Sequence, residues 1–111
     1  MNLNKTLIEA LSPLCGQVWP DVCTARPLPD EYIVFVYEDE APEVYAGDLD
    51  EDGTAWIQVH YFVRGNAQAM KPRLRAALRG AGLTVTDTAA LTEDETGYTH
   101  VIIYAYDVGF D

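Results

Sequence analysis

The residues of this chain with the most motif-like chemistry form the string Asp48-Leu49-Asp50-Glu51-Asp52-Gly53. D-x-D-x-D-G is the first half of a calcium loop, in which three carboxylates converge and glycine permits the sharp turn. The twelfth position of such a loop is a bidentate Glu, and here it is Val59. The residues that follow alternate as a strand does, whereas an EF-hand continues into a helix. A solvated acidic loop is therefore the favoured reading, with weak divalent-ion binding as its alternative. Calorimetric titration with millimolar calcium or magnesium separates the two. His60 and His100 are the only histidines, and each falls in a strand-like segment among aromatic residues, as packed or surface imidazoles do. Cys15 and Cys23 fit no common zinc spacing and have no histidine nearby, which predicts buried or half-buried thiols. No G-x-S-x-G, phosphate loop or H-E-x-x-H occurs. The expectation is a protein with no catalytic residue, no metal site and no cofactor, and not an enzyme.

Charge is the more informative pattern. Five of the seven basic residues, Arg64, Lys71, Arg73, Arg75 and Arg79, fall in one sixteen-residue stretch that contains no acid. Only Lys5 and Arg26 remain to set against the eighteen carboxylates, and the whole chain carries −11. Such a balance argues against general affinity for nucleic acid or an anionic membrane. The basic stretch has no interleaved aromatics, and the flanking acid repels a polyanion. Its plain reading is a solvated helix face; its functional reading is a docking surface for an acidic partner, including another copy of this chain. The candidate acidic counterparts are Asp48, Asp50, Glu51 and Asp52 in the long connection, and Glu93, Asp94 and Glu95 in a later loop.

These charges need elements to position them. A chain of 111 residues makes one domain and buries roughly two-thirds of its unfolded surface. Leu3, Leu7, Ile8 and Leu11 recur at helical spacing, with Asn2 as N-cap and Pro13 just past the end. Gln17 to Cys23 adds a brief strand weakened by Pro20, and Pro27-Leu28-Pro29 reads as an extended connector. Tyr32 to Tyr37 is a buried strand, and Thr54 to Val63 is a second. Its Ala55, Ile57, Val59, Tyr61 and Val63 meet the core, while Trp56, Gln58, His60 and Phe62 face away. The connection between these strands, Glu38 to Gly53, holds eight acids and no base. Met70, Leu74, Ala77, Leu78 and Ala81 form the apolar stripe of a helix beginning near Ala69, with Pro72 in its first turn and Gly80 and Gly82 stopping it. Lys71, Arg75 and Arg79 flank that stripe, and Arg73 points elsewhere. Leu83 to Thr86 starts a strand, and Gly97 to Val108 returns antiparallel to it. In the last strand Tyr98, His100, Ile102, Tyr104 and Tyr106 share one alternation, which reads as core at least in part and otherwise as interface. The predicted fold is α+β: a mixed or antiparallel sheet of about four strands with two helices packed on one face. The N-terminus has neither the basic and apolar pattern of a signal peptide nor a run able to cross a bilayer, so the expected compartment is a reducing cytoplasm.

Several strings, in their order and spacing, resemble a family of phage proteins: an N-terminal LIEAL helix, then YIVFVYEDEAPEVYAGD, WIQVHYFVRGN, KPRLRAALRGAGLTVT and EDETGYTHVIIYAY. Together these span about Leu7 to Tyr106. The chain resembles the small tail-completion or tail-terminator proteins of long-tailed phages and prophages of Gram-positive bacteria. The resemblance implies a small α+β subunit that assembles as a sixfold ring. It also implies that the ring caps the tail tube, joins the tube to the head–tail connector, and resides in the virion after assembly in the host cytoplasm. A head-closure or connector protein of the same gene region is the nearest alternative. An acidic decoy that imitates a phosphate backbone and binds a host protein is the rival outside that class, and a small-molecule-binding module is a third reading. The expected partners are other copies of the chain, the tail tube and the connector, with neither a membrane nor a specific nucleic-acid sequence among them.

Overall fold

The computed structural model describes residues 3–38 and 54–107. The order is α1 (Leu3–Leu11), β1 (Val18–Pro20), β2 (Glu31–Tyr37), β3 (Ala55–Arg64), α2 (Met70–Gly80), β4 (Thr84–Glu93) and β5 (Tyr98–Asp107). The strands form one five-stranded sheet in the order β1-β2-β3-β5-β4. β1 runs parallel to β2, and the other pairings are antiparallel. The fold is α+β. Its fifth strand is β1, three residues long, within the Gln17–Cys23 segment that the sequence marks as a brief strand. Pro20 is compatible with it because β1 is an edge strand and the ladder asks nothing of its missing N–H.

Both helices lie on one face of the sheet. α1 buries Leu3, Leu7 and Leu11, and Ile8, which shares their helical spacing, is left at the surface. α2 buries Met70, Leu74 and Leu78. Beneath them lie Ile33 and Phe35 of β2, Ile57, Val59 and Tyr61 of β3, and Val101, Ile103 and Ala105 of β5. Each fully buried Leu, Ile or Val side chain contributes about 1.5–3 kcal/mol relative to exposure. The β3 alternation thus meets the core as its pattern predicts. In β5 the principal core takes the other alternation from the tyrosines, because α1 and α2 cover the side bearing Val101, Ile103 and Ala105. Tyr98 alone of the tyrosine set is buried, in a smaller cluster with Cys23, Tyr32 and Val34 on the opposite face.

The end of α2 explains how the chain re-enters the sheet. Leu83 N–H donates to the Leu78 carbonyl and Gly82 N–H to the Arg79 carbonyl, each at 3.0 Å. This pair of bonds is a Schellman motif, and Gly82 at φ 95° supplies its left-handed residue. β4 runs to Glu93, well past the Leu83–Thr86 segment that the sequence marks as strand. Its second half is polar and small because it is a sheet edge with no helix above it, and it therefore reads as loop. Both cysteines are buried and unpaired with each other. Burial pushes the Cys15 thiol up, away from the reactive thiolate.

Candidate functional site

The sheet has two faces of different chemistry. On the covered side, α2 carries Lys71, Arg73, Arg75 and Arg79 and no acidic residue. Met70, Leu74 and Leu78 face the core, which turns Lys71, Arg75 and Arg79 along one flank and Arg73 along the other. Lys71 and Arg75 are half-buried, and Arg73 and Arg79 are exposed. Among the described residues none of the four lies within 4.0 Å of a carboxylate. Arg64 does not join them. It ends β3, sets its guanidinium 4.7 Å from the centre of the Tyr98 ring, and pairs with Asp30 at 3.6 Å. That pair is solvent-exposed, so it adds little to stability.

The other face is largely open. Among the described residues only the segment between β1 and β2 crosses it. Cys23 packs there on Tyr32, Val34 and Tyr98, and a groove of about 380 Å³ between that segment and the sheet ends at His60 and Phe62. The remainder presents side chains from three strands in register. Trp56 lies opposite Tyr106; Gln58 lies opposite Tyr104, which in turn faces Asp87; Phe62 lies opposite His100, which faces Leu91. Trp56 and Tyr106 are in contact with ring centres 5.0 Å apart, and Phe62 stacks on His100 at 4.1 Å. Leu91 is 54% exposed.

Four residues on this face form a continuous polar chain that the sequence did not reveal. Gln58 Oε1 lies 2.9 Å from His60 Nε2, His60 Nδ1 lies 2.7 Å from His100 Nε2, and His100 Nδ1 lies 3.5 Å from Glu93 Oε2. The imidazole centres are 5.0 Å apart. That exceeds the nitrogen separation by two ring radii, so the facing nitrogens point at each other head on. Head-on geometry suits a shared hydrogen rather than a metal ion, whose ligand lone pairs must converge on a third point. Two proton arrangements satisfy all three contacts. If Gln58 accepts through its oxygen, the rings carry three protons between them and one of the two is an imidazolium. If the Gln58 amide turns over and donates, two protons suffice and both rings are neutral. Burial lowers the proton affinity of both rings, with the neighbouring His100 adding to the effect at His60 and Glu93 partly opposing it at His100. Taking up a proton on one ring further disfavours a proton on the other, since two imidazolium ions at this spacing repel.

Of the predicted acidic residues, Glu93 belongs to this chain and also accepts a hydrogen bond from Thr96 Oγ1 at 3.0 Å. Asp94 and Glu95 are exposed in the β4–β5 turn. Glu93 stands roughly 30 Å along β4 from Thr84, where the chain enters the strand after α2. Asp48, Asp50, Glu51 and Asp52, and with them the calcium-loop string, lie outside the described residues. The residues that sequence reasoning missed are Gln58, Asp87 and the paired histidines. The alternation of β3 and β5 places both histidines on one face, but only the register brings them together.

No model of a protein family matches this chain. A search of the curated proteins likewise finds no match. Within the described residues no group of three or more metal-binding side chains converges. What the arrangement offers is two large, unlike surfaces on opposite sides of one sheet.

Proposed function

We propose that this chain is a structural subunit of a phage tail, a tail-terminator or tail-completion protein that acts by ring self-assembly at the end of the tail tube. The observation that carries this reading is the contrast between the two faces. A subunit that repeats around a closed axis uses two different, complementary surfaces, because the contact is heterologous. Here a basic helix on one side and an aromatic, acid-bordered sheet on the other supply such a pair. Charge at the rim sets encounter rate and register. The open aromatic face supplies the apolar area from which most of the affinity comes. The family resemblance in the order of the sequence strings supports the same reading and names its setting: the tube on one side of the ring and the head–tail connector on the other.

The test is cosedimentation of the purified chain with tail tubes, in parallel with isolated connectors. A terminator pellets with tubes and blocks their further elongation. A head-closure protein pellets with connectors alone. A chain that pellets with neither, yet binds a basic host protein as a monomer, is a decoy and sinks the proposal.

A further inference from the structure

We infer that a cleft on the open sheet face, bounded by Trp56, Tyr104 and Asp87, binds the guanidinium group of an arginine from helix α2 of a second copy of the chain. The inference rests on the self-assembly reading above and specifies which surfaces meet. The cleft has a volume of about 410 Å³, with Ala89 on its floor and Glu38 and Thr86 at its margin. Its walls are aromatic: Tyr104 on β5, and Trp56 on β3, itself in contact with Tyr106.

The carboxylate beside those rings is there because of an irregularity. Between Val85 and Asp87 the β4–β5 register shifts, so that Asp87 instead of Thr86 stands opposite Tyr104. A bulge inserts one residue and re-aims the side chains that follow it. Thr86 is left to donate its hydroxyl to the Tyr104 carbonyl at 3.2 Å. Asp87 Oδ1 accepts the Thr88 N–H at 2.8 Å, which fixes the carboxylate on the open face. A planar cation is the ligand such a cleft fits. Guanidinium stacks on aromatic faces and donates to a carboxylate in its own plane, whereas lysine's compact ammonium exploits neither as well.

The source of that arginine follows by elimination. Arg64 is held over Tyr98 and by Asp30. Arg26 donates to the carbonyls of Cys23 and Ala25 at 3.2 and 2.7 Å. The remaining arginines are Arg73, Arg75 and Arg79, all on α2. α2 lies on the opposite side of the sheet from the cleft, so none of them reaches the cleft of its own chain. The contact is between copies, head to tail, and Arg75 and Arg79 share the flank best placed to make it.

Complementary variants test this without any tail component. Asp87→Lys spoils the cleft and keeps the helix; Arg75→Glu with Arg79→Glu spoils the helix and keeps the cleft. Each variant alone should self-associate about tenfold more weakly or worse, the effect of losing an interfacial arginine anchor, with an unchanged circular dichroism spectrum. Mixed together, the two should recover association, since the intact cleft of one meets the intact helix of the other. In a Trp19→Phe background, the emission of Trp56 should change as the mixed species forms. Wild-type assembly by Asp87→Lys alone, a mixture that stays monomeric, or an unchanged Trp56 signal overturns the inference. A wild-type chain that is monomeric at every concentration overturns it too, and leaves the tube-end reading to the cosedimentation result.

Discussion

The two faces of this sheet are built from the same three central strands and differ in almost every physical respect. On the helix side, Ile57, Val59, Val101 and Ile103 are fully buried under two amphipathic helices. On the other side the alternate residues of the same strands, Trp56, His60, Ile102 and Tyr104, remain half-exposed. Period-two alternation usually sends polar residues to an uncovered face. Here the uncovered face keeps large aromatics and an imidazole pair. That departure is the observation on which the proposed contact role of this face rests. The covered side settles folding, and its only unusual surface feature is a helix whose cations find no carboxylate among the described residues.

If this division holds, substitutions on the two sides should fail in different assays. The largest stability effect belongs to the covered side. Leu78→Ala should cost about 2–5 kcal/mol in chemical denaturation, the range for deleting a fully buried leucine. A small loss there would mean that α2 is only loosely docked. The largest effect on assembly belongs to the charged pair, Arg75→Glu with Arg79→Glu. Self-association should weaken by about tenfold or more while the denaturation midpoint stays nearly unchanged. Intact assembly by that double variant would break the proposed pairing.

A smaller effect tests the histidine chain. Both imidazoles bind protons more weakly in the folded protein than at the ordinary value of 6.5. The unfolded chain therefore takes up protons first as the pH falls. The stabilising contribution of the pair is complete above 6.5 and is lost on descending through the lower folded values. Thermal denaturation at a series of pH values should show stability falling below that point, and His60→Gln with His100→Gln should flatten this part of the profile. A profile of the same slope in the double variant would assign the acid sensitivity to carboxylates instead. The smallest effect is Leu91→Lys, at an exposed position on the open face, which should change stability by no more than about 0.5 kcal/mol.

The same contrast explains what could be read from the sequence. The α2 stripe, the polarity of β3 and the α+β class follow from periodicity, because covered surfaces impose a pattern on one element at a time. The open face does not. In β5 both alternations are apolar, Tyr98, Ile102, Tyr104 and Tyr106 on one side against Val101, Ile103 and Ala105 on the other. Only the packing of the helices decides between them. The His60–His100 contact is diagonal and depends on the register that sets Phe62 opposite His100, which no local pattern specifies. Asp87 reads as a loop residue, and the bulge that puts it beside Tyr104 has no signature in the string TVTDTAAL. The acidic candidates divide likewise: Glu93 has a defined place, while Asp48 to Asp52 fall outside the described residues.

The central claim is that unlike faces of one sheet drive assembly, and light scattering behind a sizing column tests it most directly. The concentration series should be run at low and at raised salt, with and without magnesium. The account predicts a discrete, ring-sized species at low salt that shrinks toward monomer as salt screens the α2 cations from the acid-bordered face. A strict monomer at every concentration and salt would contradict it.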